Sequence, residues 1–267
     1  MVVEWDYEKK GDGKLIVKVD RPIYSYLLLE DKRQLIFGTS GGNIHIVDLN
    51  TNKEIKNIEF HKNGVYDIQR VGNYFLTAGG EGLVGIWDVE TFELVKVLRE
   101  TNKSARVITL NPQSNEIAVG YSDNKIRIYG TDSFELLKVI EGHENSVFAL
   151  AYSPDGKHLL SGGRDAVLKI WDIHNAFELK NAINAHWYHI NSIKYNTDGS
   201  LFATVSMDKT IKIWEAETFT LLKVIDKERQ DAHTSSVNKV LWISPNKFIS
   251  CSDDKTAQVF ELSVITN

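Results

Sequence analysis

The chain has 267 residues, of which 42% are hydrophobic and 25% are charged, a composition typical of a globular protein with ample material for a core. The formal net charge of -5 argues against a general nucleic-acid-binding role, because phosphate binding normally requires a basic excess. The sequence has no apolar run of about 18 residues and no secretory leader pattern, so we expect a cytoplasmic protein without a membrane span.

One short strand pattern recurs from the N-terminus to the C-terminus. Its first copy is Val2–Asp6, with Trp5 at the fourth position. In later copies that position is held by Val47, Trp87, Tyr129, Trp171, Trp214 and Phe260. The successive spacings are 42, 40, 42, 42, 43 and 46 residues. A repeat of this length with one strand pattern per period predicts a propeller.

Each period contains four predicted strands. An outer strand follows each copy of the pattern, for example Phe92–Val97 after Trp87. Two β-rich stretches precede the later copies, as Ser146–Tyr152 and Lys157–Ser161 do, and Ser153–Gly156 joins them. Proline at the first corner and glycine at the last predict a tight turn there. Four strands per period without helical periodicity predict a four-stranded antiparallel blade.

The first repeat is incomplete. It is represented only by a hairpin of Val2–Trp5 with Leu15–Val19, whereas six later repeats contain all three inner strands. The sequence therefore predicts one all-β domain over residues 1–267. We expect either seven blades with one partial blade, in a chain lacking about its first 40 residues, or six blades. In the six-blade alternative Leu15–Val19 would be the outer strand of the last blade.

Four polar residues recur at fixed places in the repeats, and with the repeat length they resemble the WD-repeat (WD40) family over the whole chain. The resemblance implies a buried hydrogen-bonded tetrad of His, Ser or Thr, Asp and Trp in each well-formed blade. Two repeats match fully, with His143, Ser161, Asp165 and Trp171, and with His186, Thr204, Asp208 and Trp214. Two match in part, with His233, Ser250, Asp254 and Phe260, and with His61, Thr77, Glu81 and Trp87. The other two are degenerate, with Val19 or Lys103 at the His position and Phe37 or Val119 at the Ser/Thr position.

Ser, His and Asp together also suggest a nucleophilic triad, which requires an accessible Ser beside a base. We favour the structural interpretation, because the constellation recurs at the repeat period and a catalytic site has no reason to be built several times. In this interpretation the polar groups satisfy one another inside each blade. No catalytic residue is predicted.

Metal, cofactor and phosphate sites are weakly supported. His186 and His189 lie close in sequence, but His186 belongs to a tetrad and His189 then lacks a second ligand. The paired glycines, such as Gly41-Gly42 and Gly162-Gly163, precede no predicted helix and no Gly-Lys-Ser/Thr motif, so they are interpreted as turn glycines. The single cysteine, Cys251, excludes an internal disulfide and a multi-cysteine metal site. We interpret it as a small buried apolar residue.

The resemblance to WD-repeat proteins implies that partners dock on one face, around the central channel. The residues expected there follow or precede the first apolar position of each inner strand, or precede the tetrad acid. We take Tyr24, Tyr66, Ile108, Phe148, Asn191 and Asn238 to follow that position, and Arg106 and His189 to precede it. Arg164, Met207 and Asp253 precede the acid.

We select as candidate partner-binding residues Tyr24, Tyr66, Arg106, Phe148, Arg164, His189, Met207 and Asp253. Aromatic residues, arginine and methionine are enriched at protein interfaces. The alternative is that the aromatic residues only pack within the fold.

Three function classes follow from these observations. The leading one is a non-enzymatic scaffold that docks partner proteins or peptides. A metal-dependent hydrolase in the propeller channel would need converging carboxylates and histidines, for which the candidates offer few residues. A nucleic-acid or small-ligand binder would rely on Arg106 and Arg164.

Overall fold

The computed structural model describes residues 1–9 and 13–263. The described strands form one two-stranded sheet, five four-stranded antiparallel sheets and one three-stranded sheet. Each sheet takes consecutive strands of the chain, so neighbours are joined by turns. The prediction of an all-β fold made of antiparallel β-propeller blades is confirmed.

The strands are numbered in chain order. The N-terminal hairpin consists of β1 (Val2–Glu4) and β2 (Lys14–Val17). The first sheet consists of β3 (Ile23–Leu29), β4 (Gln34–Thr39), β5 (Asn43–Asp48) and β6 (Lys53–Glu59), and the second of β7 (Val65–Val71), β8 (Tyr74–Gly79), β9 (Val84–Asp88) and β10 (Leu94–Leu98). The third consists of β11 (Ala105–Leu110), β12 (Glu116–Tyr121), β13 (Lys125–Gly130) and β14 (Leu136–Glu141).

The fourth sheet consists of β15 (Val147–Tyr152), β16 (His158–Gly163), β17 (Val167–Asp172) and β18 (Glu178–Asn184), and the fifth of β19 (Ile190–Tyr195), β20 (Leu201–Ser206), β21 (Ile211–Glu215) and β22 (Leu221–Ile225). The sixth has three strands, β23 (Val237–Ser244), β24 (Lys247–Ser252) and β25 (Ala257–Glu261). Two single-turn helices lie in loops, a 3-10 helix (Glu30–Lys32) and α1 (Lys227–Gln230). Among the described residues, no helix is long and apolar enough to cross a membrane.

The chain divides into two compact units. The first comprises Met1–Ile108 and Tyr121–Asp123, and the second comprises Thr109–Gly120 and Asn124–Asn267.

The core of each unit lies between successive sheets. In the first unit, Ile44 and Ile46 of one sheet pack against Ile68, Phe75 and Trp87 of the next. In the second unit the fourth and fifth sheets share a similar cluster. Every side chain of this kind contributes about 1.5–3 kcal/mol when it is fully buried. The inner strands are therefore held in register by apolar residues on both faces.

The predicted turn at Ser153–Gly156 forms as expected. Gly156 has φ of 71° and donates its backbone N–H to the Ser153 carbonyl. The Asp155 carboxylate accepts from the Ser153 hydroxyl and from the backbone N–H of Lys157. Glycine is needed at this corner because its backbone lies in the left-handed region.

Six blade-like sheets are present, as the six-blade alternative expected, but among the described strands residues 15–19 do not complete the last of them. Strand β2 pairs with β1 in a sheet of its own, and the sixth sheet has three described strands. The hairpin packs on the first sheet through Ile16, which shares a cluster with Leu35, Phe37 and Val47.

The prediction that Cys251 is buried is also wrong, because Cys251 is exposed. Its equivalent in the fifth sheet, Val205, is fully buried by the sheet that follows. On the sixth sheet that same face stays open to solvent, and Leu241 and Val259 are 58% and 43% exposed there.

Candidate functional site

The fourth sheet contains a closed hydrogen-bonded group of four side chains. His143 donates from Nδ1 to Asp165 Oδ2 at 2.8 Å, and its Nε2 accepts from the Ser161 hydroxyl at 2.6 Å. Ser161 Oγ in turn accepts from Trp171 Nε1 at 2.8 Å. Since a carboxylate has no proton to donate, the contact with Asp165 requires a proton on His143 Nδ1.

The same geometry recurs in three other sheets. In the fifth, His186 contacts Asp208 and Thr204, and Trp214 donates to Thr204. The second sheet uses His61, Glu81, Thr77 and Trp87 in the same way. In the sixth, His233 bridges Asp254 and Ser250, and Phe260 stands where the indole would be.

Each tetrad acid also fixes the loop that carries the histidine. Asp208 accepts the backbone N–H of Trp187 at 3.0 Å as well as the His186 proton, and it accepts the Thr210 hydroxyl and backbone N–H. Burial alone would raise the pKa of Asp208, but these hydrogen bonds outweigh it and hold the pKa far below its ordinary value. Burial lowers the pKa of His186, against the opposing effect of Asp208. The pair therefore consists of a carboxylate and a neutral imidazole at neutral pH.

We expect the free energy of unfolding to fall as the pH drops below about 6.5, the ordinary pKa of histidine. His186 has a lowered pKa in the fold, so the unfolded chain takes up the proton first and acidification favours unfolding. Urea denaturation at pH 7.5 and 5.5 checks this, and His186→Gln should reduce the difference between the two values. Equal or greater stability at pH 5.5 would contradict the neutral imidazole.

The tetrad hydroxyls are closed to solvent. Ser161 and Thr204 are 0% exposed, and each is held by a histidine and an indole. A nucleophilic triad requires a hydroxyl that a substrate can reach. Neither of these two hydroxyls is accessible to a substrate. The tetrads therefore act as structural links between strands and loops.

A second hydrogen bond recurs in all six sheets and defines the surface near these loops. Within each sheet, it joins the carbonyl of the residue that precedes the sheet's first strand to the N–H of the residue that follows the sheet's second strand. The pairs are Pro22 with Ser40, Gly64 with Gly80, Ser104 with Ser122, Ser146 with Arg164, His189 with Met207, and Ser236 with Asp253. We call these residues, together with the second residue of each first strand, the loop layer. All eight candidate partner-binding residues lie in it.

The loop layer corrects one sequence assignment. Ala105 occupies the first apolar position of the third sheet, because Ser104 makes the recurrent bond to Ser122. Arg106 therefore follows that position, where Ile108 was expected, and Ile108 is buried at 2% exposure. The sequence pattern was misaligned by two residues because Ala105 and Val107 are both apolar and lie on the same face of the strand.

In the first unit, three equivalent loop-layer residues lie against one another. The Tyr24 and Tyr66 rings stack with their centroids 5.7 Å apart. The Arg106 guanidinium lies 4.1 Å from the centroid of the Tyr66 ring, and Arg106 Nε donates to Ser122 Oγ at 2.8 Å. Tyr24 is 47% exposed and Tyr66 and Arg106 are half-buried. The arrangement forms an aromatic surface with a positive charge on it.

In the second unit, the loop layer continues from sheet to sheet. Phe148 meets the His189 ring edge-on at 5.4 Å. Burial and the nearby positive charge of Arg164 lower the pKa of His189, so it is neutral at neutral pH. Asn238 donates to Asp253 at 2.6 Å. The candidates Arg164, Met207 and Asp253 are exposed.

Sequence reasoning missed the most exposed aromatic residues of this region. Trp187 and Tyr188 are 88% and 60% exposed, and the neighbouring Met207 is 45% exposed. Hydrogen bonds hold this loop in place, from the Trp187 N–H to Asp208 and from the Ser206 hydroxyl to the Tyr188 carbonyl. The signal was present in the sequence, since Trp187 directly follows a tetrad histidine and equivalent positions hold Lys62, Glu144 and Thr234.

No group of three or more His, Cys, Asp or Glu side chains suited to a metal ion occurs within residues 1–9 and 13–263.

Comparison with known proteins identifies the repeats. The family described as "WD domain, G-beta repeat" matches residues 134–172, 177–215 and 225–261. Myosin heavy chain kinase C of Dictyostelium discoideum is 30% identical over 125 residues, which cover 45% of this chain and 16% of that protein. WD repeat-containing protein 90 of Xenopus tropicalis is 30% identical over 103 residues, which cover 35% of this chain and 6% of that protein. The chain thus spans less than a fifth of the length of these curated relatives.

Proposed function

We propose that this chain, which contains WD40 repeats and folds into β-propeller blades, is a non-enzymatic scaffold that binds partner proteins or peptides through the loop layer. WD40 repeats typically serve protein interaction. The fold alone hosts many functions, so the proposal rests on the surface residues.

The observation that carries the proposal is the group of exposed apolar side chains on fixed loops of the second unit. Trp187, Tyr188 and Met207 present large apolar surfaces to solvent, although the backbone that carries them is hydrogen-bonded to Asp208 and to neighbouring loops. Exposed tryptophan, tyrosine and methionine are costly to leave in water and are enriched in interface hot spots. A partner would gain their burial without having to order the loop.

The chemistry of the site favours an extended protein segment as the ligand. Aromatic faces such as those of Trp187 and Tyr188 accept apolar side chains, and the exposed Arg164 supplies a directional contact to a carboxylate or a backbone carbonyl. The stacked Tyr24 and Tyr66 with Arg106 offer the same combination in the first unit. We do not extend kinase activity to this chain, because the match to the myosin kinase covers only 16% of that protein.

The proposal is tested by affinity capture with Trp187→Ser as bait beside the unchanged protein. A partner anchored on Trp187 should lose about 30-fold or more in affinity, since hot-spot truncations cost about 2 kcal/mol or more. The matched control is Leu137→Ser, which removes a 57% exposed apolar side chain from the outer strand β14. If both variants retain the partner equally, the binding surface lies away from this loop.

A further inference from the structure

Arg164 is a charged residue of the loop layer whose side chain is unpaired. The side chains of the other charged members, Arg106 and Asp253, are hydrogen-bonded within the fold. The Arg164 guanidinium has no hydrogen bond or ion pair in the described part of the chain, although its backbone N–H is fixed to the Ser146 carbonyl at 2.9 Å. The fourth sheet therefore presents an exposed cation on a fixed backbone without a counter-ion.

His189 is the second unpaired polar group of this surface. Its ring meets that of Phe148 edge-on, with the centroids 5.4 Å apart. Phe148 and Arg164 flank the same paired position of the fourth sheet, Val147 opposite Gly163, so this contact places the imidazole near the guanidinium. Neither ring nitrogen of His189 is hydrogen-bonded among the described residues. Two side chains that donate from nitrogen thus lie close together with no protein acceptor.

The charges around His189 keep its imidazole neutral in the free protein. Burial lowers the pKa of His189, and the positive charge of Arg164 lowers it further, because a like charge disfavours the protonated form. The carboxylates of Asp165 and Asp208 are occupied by the tetrad histidines. The other charged groups of the adjoining loops, in the fourth, fifth and sixth sheets, are Glu144, Lys209 and Asp253.

A carboxylate that contacts both side chains would satisfy both. The Arg164 guanidinium can donate two parallel N–H bonds to one carboxylate. The bound anion offsets the charge of Arg164 and accepts a proton-bearing nitrogen of His189, so it raises the pKa of the imidazole. By linkage, such a ligand binds more tightly as the pH falls, until His189 is protonated in the free protein as well.

We propose that Arg164 and His189 form a binding site for a carboxylate group, and that the imidazole takes up a proton when the carboxylate binds. Trp187 and Met207, exposed on the adjoining loops, contact the apolar part of the same ligand. In a partner protein the carboxylate belongs to an Asp or Glu side chain beside an apolar residue, and this part rests on the proposed function. Mild acidification then favours docking on the loop layer.

The free protein tests the site, with acetate as the carboxylate. Histidine ring signals are followed by NMR against pH, in sodium acetate and in sodium chloride of equal ionic strength, and His189→Gln assigns the His189 signal. Acetate should raise the pKa of His189 in the unchanged protein. Arg164→Gln should raise that pKa in chloride and remove the further rise with acetate. Lys209→Gln, the matched control, removes a positive charge from the neighbouring loop and should behave like the unchanged protein.

The carboxylate site is overturned if acetate leaves the pKa of His189 unchanged, or raises it equally in Arg164→Gln. A rise with sodium sulfate but not with acetate would also overturn it, because the pair would then select a tetrahedral dianion such as a phosphate group.

A captured partner tests the proton uptake. From about pH 8 to about pH 6 the affinity should rise severalfold, and by no more than about tenfold per pH unit, because one proton is taken up. His189→Gln should remove this rise. An affinity that does not rise, or a rise that persists in His189→Gln, overturns the proton uptake. If Trp187→Ser retains the partner while acetate still raises the pKa of His189, the proposed docking surface is wrong and the carboxylate site is retained.

Discussion

Replacing Tyr66 and Phe148 together by alanine should abolish binding of the natural partner and leave thermal unfolding nearly unchanged. Each ring lies in the loop layer and is half-buried in the free protein. Truncating an aromatic hot spot costs about 2 kcal/mol or more, so two should weaken binding by about a thousandfold. The loss of the contacts with Tyr24, Arg106 and His189 should lower the melting temperature by only a few degrees.

Tyr66→Phe is the control, because it keeps the ring that stacks on Tyr24 and should retain most of the affinity. Surface plasmon resonance with the captured partner measures the affinities, and calorimetry measures the melting temperature. Normal binding by the double variant would assign both rings to internal packing. Outright unfolding of the double variant would lead to the same conclusion.

Replacing Asp208 by alanine should lower the free energy of unfolding by about 3 kcal/mol, because the change leaves the buried His186 proton and two backbone N–H groups without their acceptor. Asp123→Ala is the matched comparison. Asp123 stands at the equivalent position of the third sheet, so a smaller loss is expected. In the corrected register of that sheet, Thr101 rather than Lys103 stands where the histidine would be, four residues before Ala105, and Val119 replaces the hydroxyl residue. Urea denaturation of both variants checks this, and equal losses would show that the tetrad does not support the fold.

The repeated features of this fold were accessible from the sequence because they obey a period. Trp87, Trp171 and Trp214 stand at the same point of successive repeats, and the polar residues that surround them are hydrogen-bonded as groups. An internal repeat serves as its own alignment, so a single chain suffices to recognise the strands. The strand register was harder to predict where apolar residues alternate, as at Ala105 and Val107.

Exposure could not be predicted in the same way, because it depends on what covers a residue. Val205 and Cys251 occupy equivalent positions on two successive sheets, yet one is fully buried and the other is exposed. Trp5 and Trp171 also occupy equivalent positions in their repeats, yet Trp5 is exposed and Trp171 is buried. The exposure of Trp187 could not be predicted either, because Trp187 lies in a surface loop and strand periodicity does not determine which way its side chain points. Which of these surfaces bind partners stays a prediction.

The hydrogen bond from the Trp187 N–H to Asp208 has a kinetic consequence. A loop that is already ordered pays little conformational entropy when a partner arrives. Association should then proceed without a slow rearrangement step, and substitutions of Trp187 should act mainly on the dissociation rate. Loosening the loop by removing the Asp208 carboxylate should instead slow association, although no atom that touches the partner has changed.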